Sequence, residues 1–596
     1  MTYSAPLKDI QFVMNDLAGL EQLAALPGFE DATPGTAHAV LDEAAKLCSE
    51  VLAPLNEAGD RNPAALEHGC VTTTPGFSDA FRQFAEGGWQ GLQHPLEYQG
   101  QGLPKLVAAA CSEMLNAANM SFSLCPMLTD GAIEALLTAG SEQQKDLYLP
   151  KLIAGQWTGT MNLTEPQAGS DLSMVRTRAE RQADDHYRIF GTKIFITWGD
   201  HDMAENIVHL VLARTPGAPE GVKGISLFLV PKFLVNRDGT LGQRNDVECV
   251  SLEHKLGIKA SPTAVLQFGD GLGAIGELVG EENRGLEYMF VMMNAARFAV
   301  GLQGVAVSDR AYQKAAAYAK ERVQCRPVDG SRPHAVAIIR HPDVRRMLSM
   351  MRALTEAARA LAYFAAAQAD TAHRHADAEV RATSLALYEF LVPIVKGWST
   401  EIAQEVTSLG IQVHGGVGFI EETGAAQYYR DARILLIYEG TTAIQANDLI
   451  GRKTARDDGA VAYALIDDIE STLLLLTQLP GQAYSTMKIQ LERGVKAWTS
   501  SMEFVLSNIK DDPNAVFAGA VPYLKLIGIV LGGWQMARAM LSACERRDMD
   551  PEFFEAKIAT ALFYAQQVLP QAIALEVTIT SARSDEGMLA LGDDQF

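Results

Sequence analysis

The chain lacks several features that would mark a simple fold or function. Its seven cysteines, Cys48, Cys70, Cys111, Cys125, Cys249, Cys325 and Cys544, form no C-x-x-C pair and are odd in number. That argues against a disulfide framework or a zinc ribbon, and for a reducing compartment. Basic residues are few, 50 against 72 acidic, for a net charge of −22. This balance disfavours nucleic acid or an anionic membrane surface as principal partner. No G-x-G-x-x-G is read after a predicted strand, and no Walker loop, H-E-x-x-H or G-x-S-x-G is found. A nucleotide-type cofactor must then be held by other means, and no metal site is expected. Clean apolar runs are also missing. Ala515 to Met540 is interrupted by Pro522, Lys525, Gln535 and Arg538, whereas a spanning helix needs about 20 apolar residues. It reads as a buried bundle helix, so no integral membrane segment is expected. Met1 to Leu20 carries Lys8, Asp9 and Asp16 without the apolar core of a secretory leader, and a cytoplasmic location is expected.

What is present is globular: 48% hydrophobic and 20% charged residues over 596 positions. At roughly 150 residues per domain this allows about four domains. The first 150 residues read as helices, including Leu41–Val51, Phe77–Phe84, Val107–Ala118 and one starting at Ser141. From Gln156 the texture changes to strands and turns. Tyr187–Phe190 is a strand followed by a turn at Gly191–Lys193; Ile207–Leu212 and Ile225–Val230 are further strands, and Asp238-Gly239 marks a hairpin. Helices return at Leu286–Lys320, Val344–Ala369 and Val380–Glu405. A charged stretch, Gly451–Gly459, then precedes about four more helical segments. The order helical, β, helical, helical is not an alternating βα pattern. The expected fold is α+β and mostly α. Its predicted parts are an N-terminal extension (1–40), a helical domain (41–155), a middle β-domain (156–280), a helical bundle domain (281–453) and an extra helical domain (460–596).

Four segments carry chemistry. Met161 to Asp171 contains Leu163, Thr164, Gly169 and Ser170, whose small residues and hydroxyls suit close approach to an anion; a polar turn is the competing reading. Gly191 to Gly199 places Phe195 and Thr197 two apart, on one strand face that can carry a flat ring, or that simply packs. Gln412 to Phe419, with His414, Gly415 and Gly416, is a glycine-rich loop after a helix. Finally, Glu439 follows the apolar run Ile434–Tyr438, where desolvation makes a carboxylate a better base. Gly440 permits a sharp turn, and Thr442 to Gln445 fits a capping box, so a helix is expected to start there. A helix-capping acid is the competing fate of Glu439.

In this order the segments resemble the acyl-CoA dehydrogenase family, from Leu41 to Lys453. The specific pieces are L-T-E-P-x-A-G-S-D at Leu163–Asp171, G-T-K-x-F-I-T at Gly191–Thr197 and I-Y-E-G-T at Ile437–Thr441. The resemblance implies FAD held between a helical N-terminal domain, a β-domain and a C-terminal four-helix domain. Met161, Leu163 and Thr164 would flank the flavin ring. Gly169 and Ser170 would meet the pyrophosphate, and Phe195, Thr197 and Thr441 would lie near the cofactor. Arg322, Gln324, Gln412, Gly415 and Gly416 would reach the FAD of a neighbouring subunit, implying a homodimer or dimer of dimers. Glu439 would remove the α-proton of an acyl-CoA as hydride leaves to the flavin, giving a trans-2-enoyl-CoA. Some members place the base just before an arginine corresponding to Arg297; Ala296 stands there, which strengthens Glu439. Asn294, Arg297, Gly440 and Arg452 would contact substrate or CoA, the alternative for Arg297 being a pair with an acid. Electron-transfer flavoprotein is the implied electron acceptor. Departures are Met161 in place of a frequent tyrosine, and Cys325-Arg326 after the arginine helix.

The long form and the opening Tyr3 to Val13 resemble a bacterial subgroup that includes 3-methylmercaptopropionyl-CoA dehydrogenases of dimethylsulfoniopropionate breakdown. This implies conversion of 3-methylmercaptopropionyl-CoA to 3-methylthioacryloyl-CoA. Medium- or long-chain acyl-CoA dehydrogenation, an acyl-CoA oxidase, and a flavin-less scaffold are the alternatives. Met289, Met292 and Met293 either fill the core or line a pocket for a thioether.

Overall fold

The structure, a computed structural model, describes residues 3–183 and 186–595. The outer ends of the first and last predicted domains, residues 1–2 and 596, lie outside these. The N-terminal part contains α1 (Leu7–Phe12), α2 (Leu20–Ala24), α3 (Pro34–Lys46), α4 (Ala53–Arg61), α5 (Phe77–Glu86), α6 (Lys105–Ala139) and α7 (Glu142–Ile153). A small hairpin of β1 (Ala65–Glu67) and β2 (Cys70–Thr72) interrupts them. Ser141 starts α7 through a capping box with Gln144. α6 is broken at Asn119, whose backbone leaves helical geometry and whose Oδ1 accepts from Phe122 N–H to restart the helix.

The middle part is an eight-stranded sheet built from β3 (Trp157–Asn162), β4 (Arg178–Arg181), β5 (Tyr187–Thr197), β6 (Asn206–Ala213), β7 (Ser226–Pro231), β10 (Val247–Leu252), β11 (Thr263–Phe268) and β12 (Ala274–Val279). The order is β10-β11-β5-β12-β7-β6-β3, with β4 also on β5; β3 and β6 pair in parallel, and the other described strand pairs of the sheet are antiparallel. The hairpin at Asp238-Gly239 joins β8 (Phe233–Val235) to β9 (Leu241–Arg244). The turn expected at Gly191–Lys193 is absent, because β5 runs through it to Thr197 while pairing with β11. A G-x-G-x-x-G spacing does follow a strand, at Gly271–Gly276 after β11. It leads into β12 rather than a helix, and Asp246 accepts from the Gly271 and Gly273 N–H groups, so it forms a turn.

α8 (Gly285–Glu321), α9 (Pro342–Arg374) and α10 (Ala378–His414) form the bundle, followed by α11 (Ala425–Ala432) and α12 (Thr442–Asp448). Among the described residues the last part holds six α-helices rather than about four: α13 (Ala460–Thr477), α14 (Gln482–Asn508), α15 (Pro513–Ala518), α16 (Ala520–Glu545), α17 (Pro551–Gln567) and α18 (Gln571–Thr580). One continuous apolar core runs through the N-terminal helices, the bundle and this last module; a second fills the outer half of the sheet. Three helical stretches, in α8, in α16 and over 551–580, are long and apolar enough to cross a bilayer. In α16 the apolar window is 83% buried inside the protein, as a bundle helix should be.

A buried ionic cluster ties the ends of the chain to its middle. Arg359 of α9 donates to Asp9 of α1 at 2.6 Å and to Glu113 of α6 at 2.6 and 2.8 Å, and lies 3.2 Å from Asp309 of α8. Lys557 of α17 donates to Asp9 at 2.5 Å and to Glu356 of α9 at 2.7 Å. These two cations hold the Asp9 carboxyl well below the usual carboxylate range despite its burial.

Candidate active site

Glu439 sits in a strained turn between α11 and α12. Thr441 caps α12, its Oγ1 accepting from the Ile444 N–H, so the helix cap lies one residue before the expected box at Thr442. Glu439 has φ +54° and Gly440 φ +86°. Glycine tolerates this region and glutamate does not, so the surroundings must impose it. The residue is half-buried, and desolvation pushes its carboxyl up to about 7 against the opposing charges of Lys396 and Arg297. Among the described residues, its backbone N–H meets no acceptor.

Beside it, Tyr438 donates to Gln303 Oε1 at 2.5 Å. Gln303 Nε2 in turn lies 3.2 Å from Asn116 Oδ1 and 3.6 Å from Met127 Sδ. Asn116 and Met127 line a cavity of about 80 Å³ between α6 and α8, walled by Phe298, Ala299 and Leu302. Met289 and Met292 are core residues, fully buried, and Met292 packs over Gly131. The thioether-like side chain at a cavity is Met127 instead.

Asn294, Arg297 and Arg452 share a second cavity, of about 160 Å³, with Phe290 and Asp448. Arg297 is paired with Asp448 at 3.4 Å, which is the alternative foreseen for it, and Arg452 reaches the same carboxylate at 3.5 Å. A third group lies at the sheet. Met161 is buried near the end of β3, Leu163 and Thr164 are half-buried, and Gly169 and Ser170 are exposed. A buried clamp shapes this loop. Glu165 takes Lys193 Nζ at 2.8 Å, the Thr177 hydroxyl and the N–H groups of Arg176 and Thr177, while Lys193 also donates to Leu163 O. Phe195 is 58% exposed with φ +60°, and the β5–β11 register slips beside it. The simple alternation that would set Phe195 and Thr197 on one face is therefore interrupted by a bulge.

The last group is separate. Arg322 and Gln324 are exposed beyond the end of α8, where a short antiparallel pairing with 336–338 begins. Gln412, Gly415 and Gly416 are exposed where α10 ends and a 3-10 turn follows. Exposed Val323, Val328, Phe419 and Ile420 accompany them. Among the described residues no hydrogen bond or ion pair joins this group to the others.

These residues fit a flavin nucleotide. The hydroxyls of Thr164, Ser170 and Thr197 take no intramolecular hydrogen bond among the described residues. The Phe195 ring is exposed, and a Cβ added at Gly169, Gly415 or Gly416 would meet nothing within 4 Å. Free hydroxyl donors, open backbone and a bare aromatic face suit a planar ring carrying phosphates.

Four family models match the chain in order. They are the acyl-CoA dehydrogenase N-terminal domain (35–156), middle domain (160–270) and C-terminal domain (283–453), and an acetyl-CoA dehydrogenase C-terminal-like domain (465–589). The chain belongs to the acyl-CoA dehydrogenase family. It is accordingly an FAD-dependent oxidoreductase. A 3-methylmercaptopropionyl-CoA dehydrogenase of Ruegeria pomeroyi is 54% identical over 97% of this chain and 98% of its own. A butyryl-CoA dehydrogenase of Syntrophomonas wolfei is 33% identical over 97% and 98%. An acyl-CoA dehydrogenase of Bacillus anthracis, solved with FAD, shares the fold with TM-score 0.74 and 23% identity over 94% of this chain and 90% of its own. Among the described residues no cluster of three His, Cys, Asp or Glu side chains could hold a metal.

The sequence reading did not single out Lys396, Gln303, Asn116, Glu165, Lys193 or Asp448. Lys396 alone left a signal, a single cation inside the apolar run Phe390–Trp398.

Proposed function

We propose that this acyl-CoA dehydrogenase oxidises 3-methylmercaptopropionyl-CoA to 3-methylthioacryloyl-CoA, with Glu439 as the base. The observation that carries the substrate is the 54% identity, spread over nearly the full length of both chains, to an enzyme of that name. The chemistry rests on Glu439, a carboxylate that burial raises to about 7, next to Tyr438, which Gln303 connects to Asn116 on the wall of the α6–α8 cavity. The thioester carbonyl accepts from the free Glu439 N–H, which stabilises the negative charge that develops on its oxygen. The Glu439 carboxylate takes the α-proton, and the burial that raises its pKa disfavours water as a competing partner. FAD, when bound, accepts the β-hydride. Thr164, Ser170, Phe195, Thr197, Met161, Leu163 and Gly169 hold it from one chain. Arg322, Gln324, Gln412, Gly415 and Gly416 complete it from a second copy, their exposed apolar neighbours forming the subunit contact. Thr441 holds the turn by capping α12. Arg297, Asn294, Gly440 and Arg452 receive the CoA side of the substrate. Electrons then pass to an electron-transfer flavoprotein in the cytoplasm.

An anaerobic titration of the flavin band with acyl-CoAs tests this. Bleaching by 3-methylmercaptopropionyl-CoA, faster than by butyryl-, octanoyl- or palmitoyl-CoA, is expected. Bleaching by a straight-chain thioester with none by the thioether substrate would refute the substrate.

A further inference from the structure

A buried lysine lies beneath the base with no carboxylate within ion-pair distance among the described residues. Lys396 of α10 is fully buried, and its Nζ donates to the Gly440 carbonyl at 2.6 Å. Gln445 of α12 approaches from the other side, its Nε2 donating to the Glu439 and Gly440 carbonyls at 3.1 and 3.2 Å. Both carbonyls of the left-handed turn are thus held by side chains from two helices. Such holding is what two successive positive φ values require.

The charges around the turn come from several elements. Glu439 faces Lys396 from α10 and Arg297 from α8. Lys396 faces Glu439, Arg297 and Glu401. Arg297 is answered by Asp448, which it shares with Arg452. Tyr438, adjacent to the base, faces Glu439 and Asp431 and is engaged by Gln303. Glu401 takes the Thr442 hydroxyl. Lys396 is therefore the cation beside Glu439 whose hydrogen bond goes to a neutral carbonyl. Taking an ammonium out of water costs several kcal/mol, which a neutral residue of similar length would avoid.

We propose that Lys396 is a positioning residue for the base. Through the Gly440 carbonyl it fixes the Glu439–Gly440 turn, and its charge favours the ionised form of the Glu439 carboxylate. The proposal rests on the reading of Glu439 as the base. The electrostatics agree: burial raises Glu439 to about 7 and lowers Lys396 to about 8, each opposed first by the other's charge. At neutral pH the lysine is then charged, and the carboxyl can give and take a proton.

The test separates proton abstraction from oxidation. An acyl-CoA with sulfur in place of the β-carbon has an acidic α-proton and no β-hydride. Its α-proton exchange into D2O is followed by NMR from pH 5.5 to 9. In Lys396→Met the pH of half-maximal exchange is expected to rise by about one unit or more, since the carboxylate loses the cation that most opposes its burial. Exchange should recover at high pH, FAD content and far-UV circular dichroism should be kept, and Lys396→Arg should restore the wild-type midpoint. If Lys396→Met does not fold, Lys396→Gln, also neutral, carries the same expectation. Exchange that falls equally at every pH, with the midpoint unmoved, would overturn the proposal. Glu439→Gln is run in parallel. Continued exchange there would sink the base itself, whereas a silent Glu439→Gln with an unmoved Lys396→Met midpoint would sink only the role of Lys396.

Discussion

Gly528→Ala tests how the C-terminal module supports the bundle. Gly528 and Gly532 lie four apart on α16, hence on one face. Across from them lies Trp398 of α10, 2% exposed and two residues beyond Lys396. A Cβ at Gly528 would stand 2.3 Å from Trp398 Cγ and 2.6 Å from Cδ1. Carbon contacts are comfortable at about 3.5–4.0 Å, so the indole must retreat by more than about 1 Å. Its far edge is seated equally close on Gly532, where a Cβ would lie 2.4 Å from Cη2. Overpacking of this kind costs about 1–3 kcal/mol. Alanine is also the better helix former by about 1 kcal/mol, so a glycine with room around it should gain stability when replaced. Gly410 of α10 is that control, its nearest prospective contact being Met351 Cε at 3.5 Å. The assay is the temperature at which bound flavin is released, together with turnover at saturating substrate. Gly528→Ala should melt lower and turn over more slowly, because α10 carries both Trp398 and Lys396, while Gly410→Ala should match or exceed the parent. A Gly528→Ala protein as stable as Gly410→Ala would refute the argument that this glycine exists to admit the indole.

The wild-type kcat/KM should rise with pH through about 7, because the base acts ionised and burial has raised its pKa. About a tenfold loss between the plateau and pH 6 is expected, and a flat profile from pH 6 to 8 would contradict it. Arg322→Ala should lower the FAD retained through gel filtration without changing circular dichroism; full retention would break the cross-subunit reading. Asp9→Ala leaves Lys557 and Arg359 each short of a buried partner, and losing one member of such a cluster costs about 3–5 kcal/mol. A melting temperature within error of the parent would show that the N-terminal extension is not anchored there.

Local patterns carried most of the fold. Helical periodicity marked the bundle helices, and short continuous β-rich runs marked β6 and β7, which are buried at every position. Glu439 was legible as the end of an apolar run followed by glycine. The alternation argument failed at Phe195, since a bulge is set by how β11 pairs with β5 and leaves no local trace. Glu165 and Lys193 were missed for a related reason: their pairing joins a loop to a strand 28 residues away. The Asp9–Lys557 pair spans 548 positions, and nothing in either neighbourhood announces the other. At Lys396 the pattern held a clue, one charge in an otherwise apolar helix face, but its partner is a backbone carbonyl, which no sequence motif reveals.

The same geometry gives the added helical module a place in the chemistry. Gly397, the residue after Lys396, has Leu524 of α16 on one side and Gln445 of α12 on the other; a Cβ there would lie 2.8 Å from Leu524 Cδ1 and 3.5 Å from Gln445 Cβ. The absent side chain lets both helices close on α10 at the level of the base. Gln445 is the residue that grips the Glu439 and Gly440 carbonyls, and Tyr523, beside Leu524, reaches Thr454 just past α12. The module therefore presses on α10 and α12, the two helices that hold the strained turn. A turn with two successive left-handed residues, one of them a glutamate, relaxes unless its surroundings over-determine it. In this chain that constraint comes from Lys396 and Gln445 directly, and from α16 behind them.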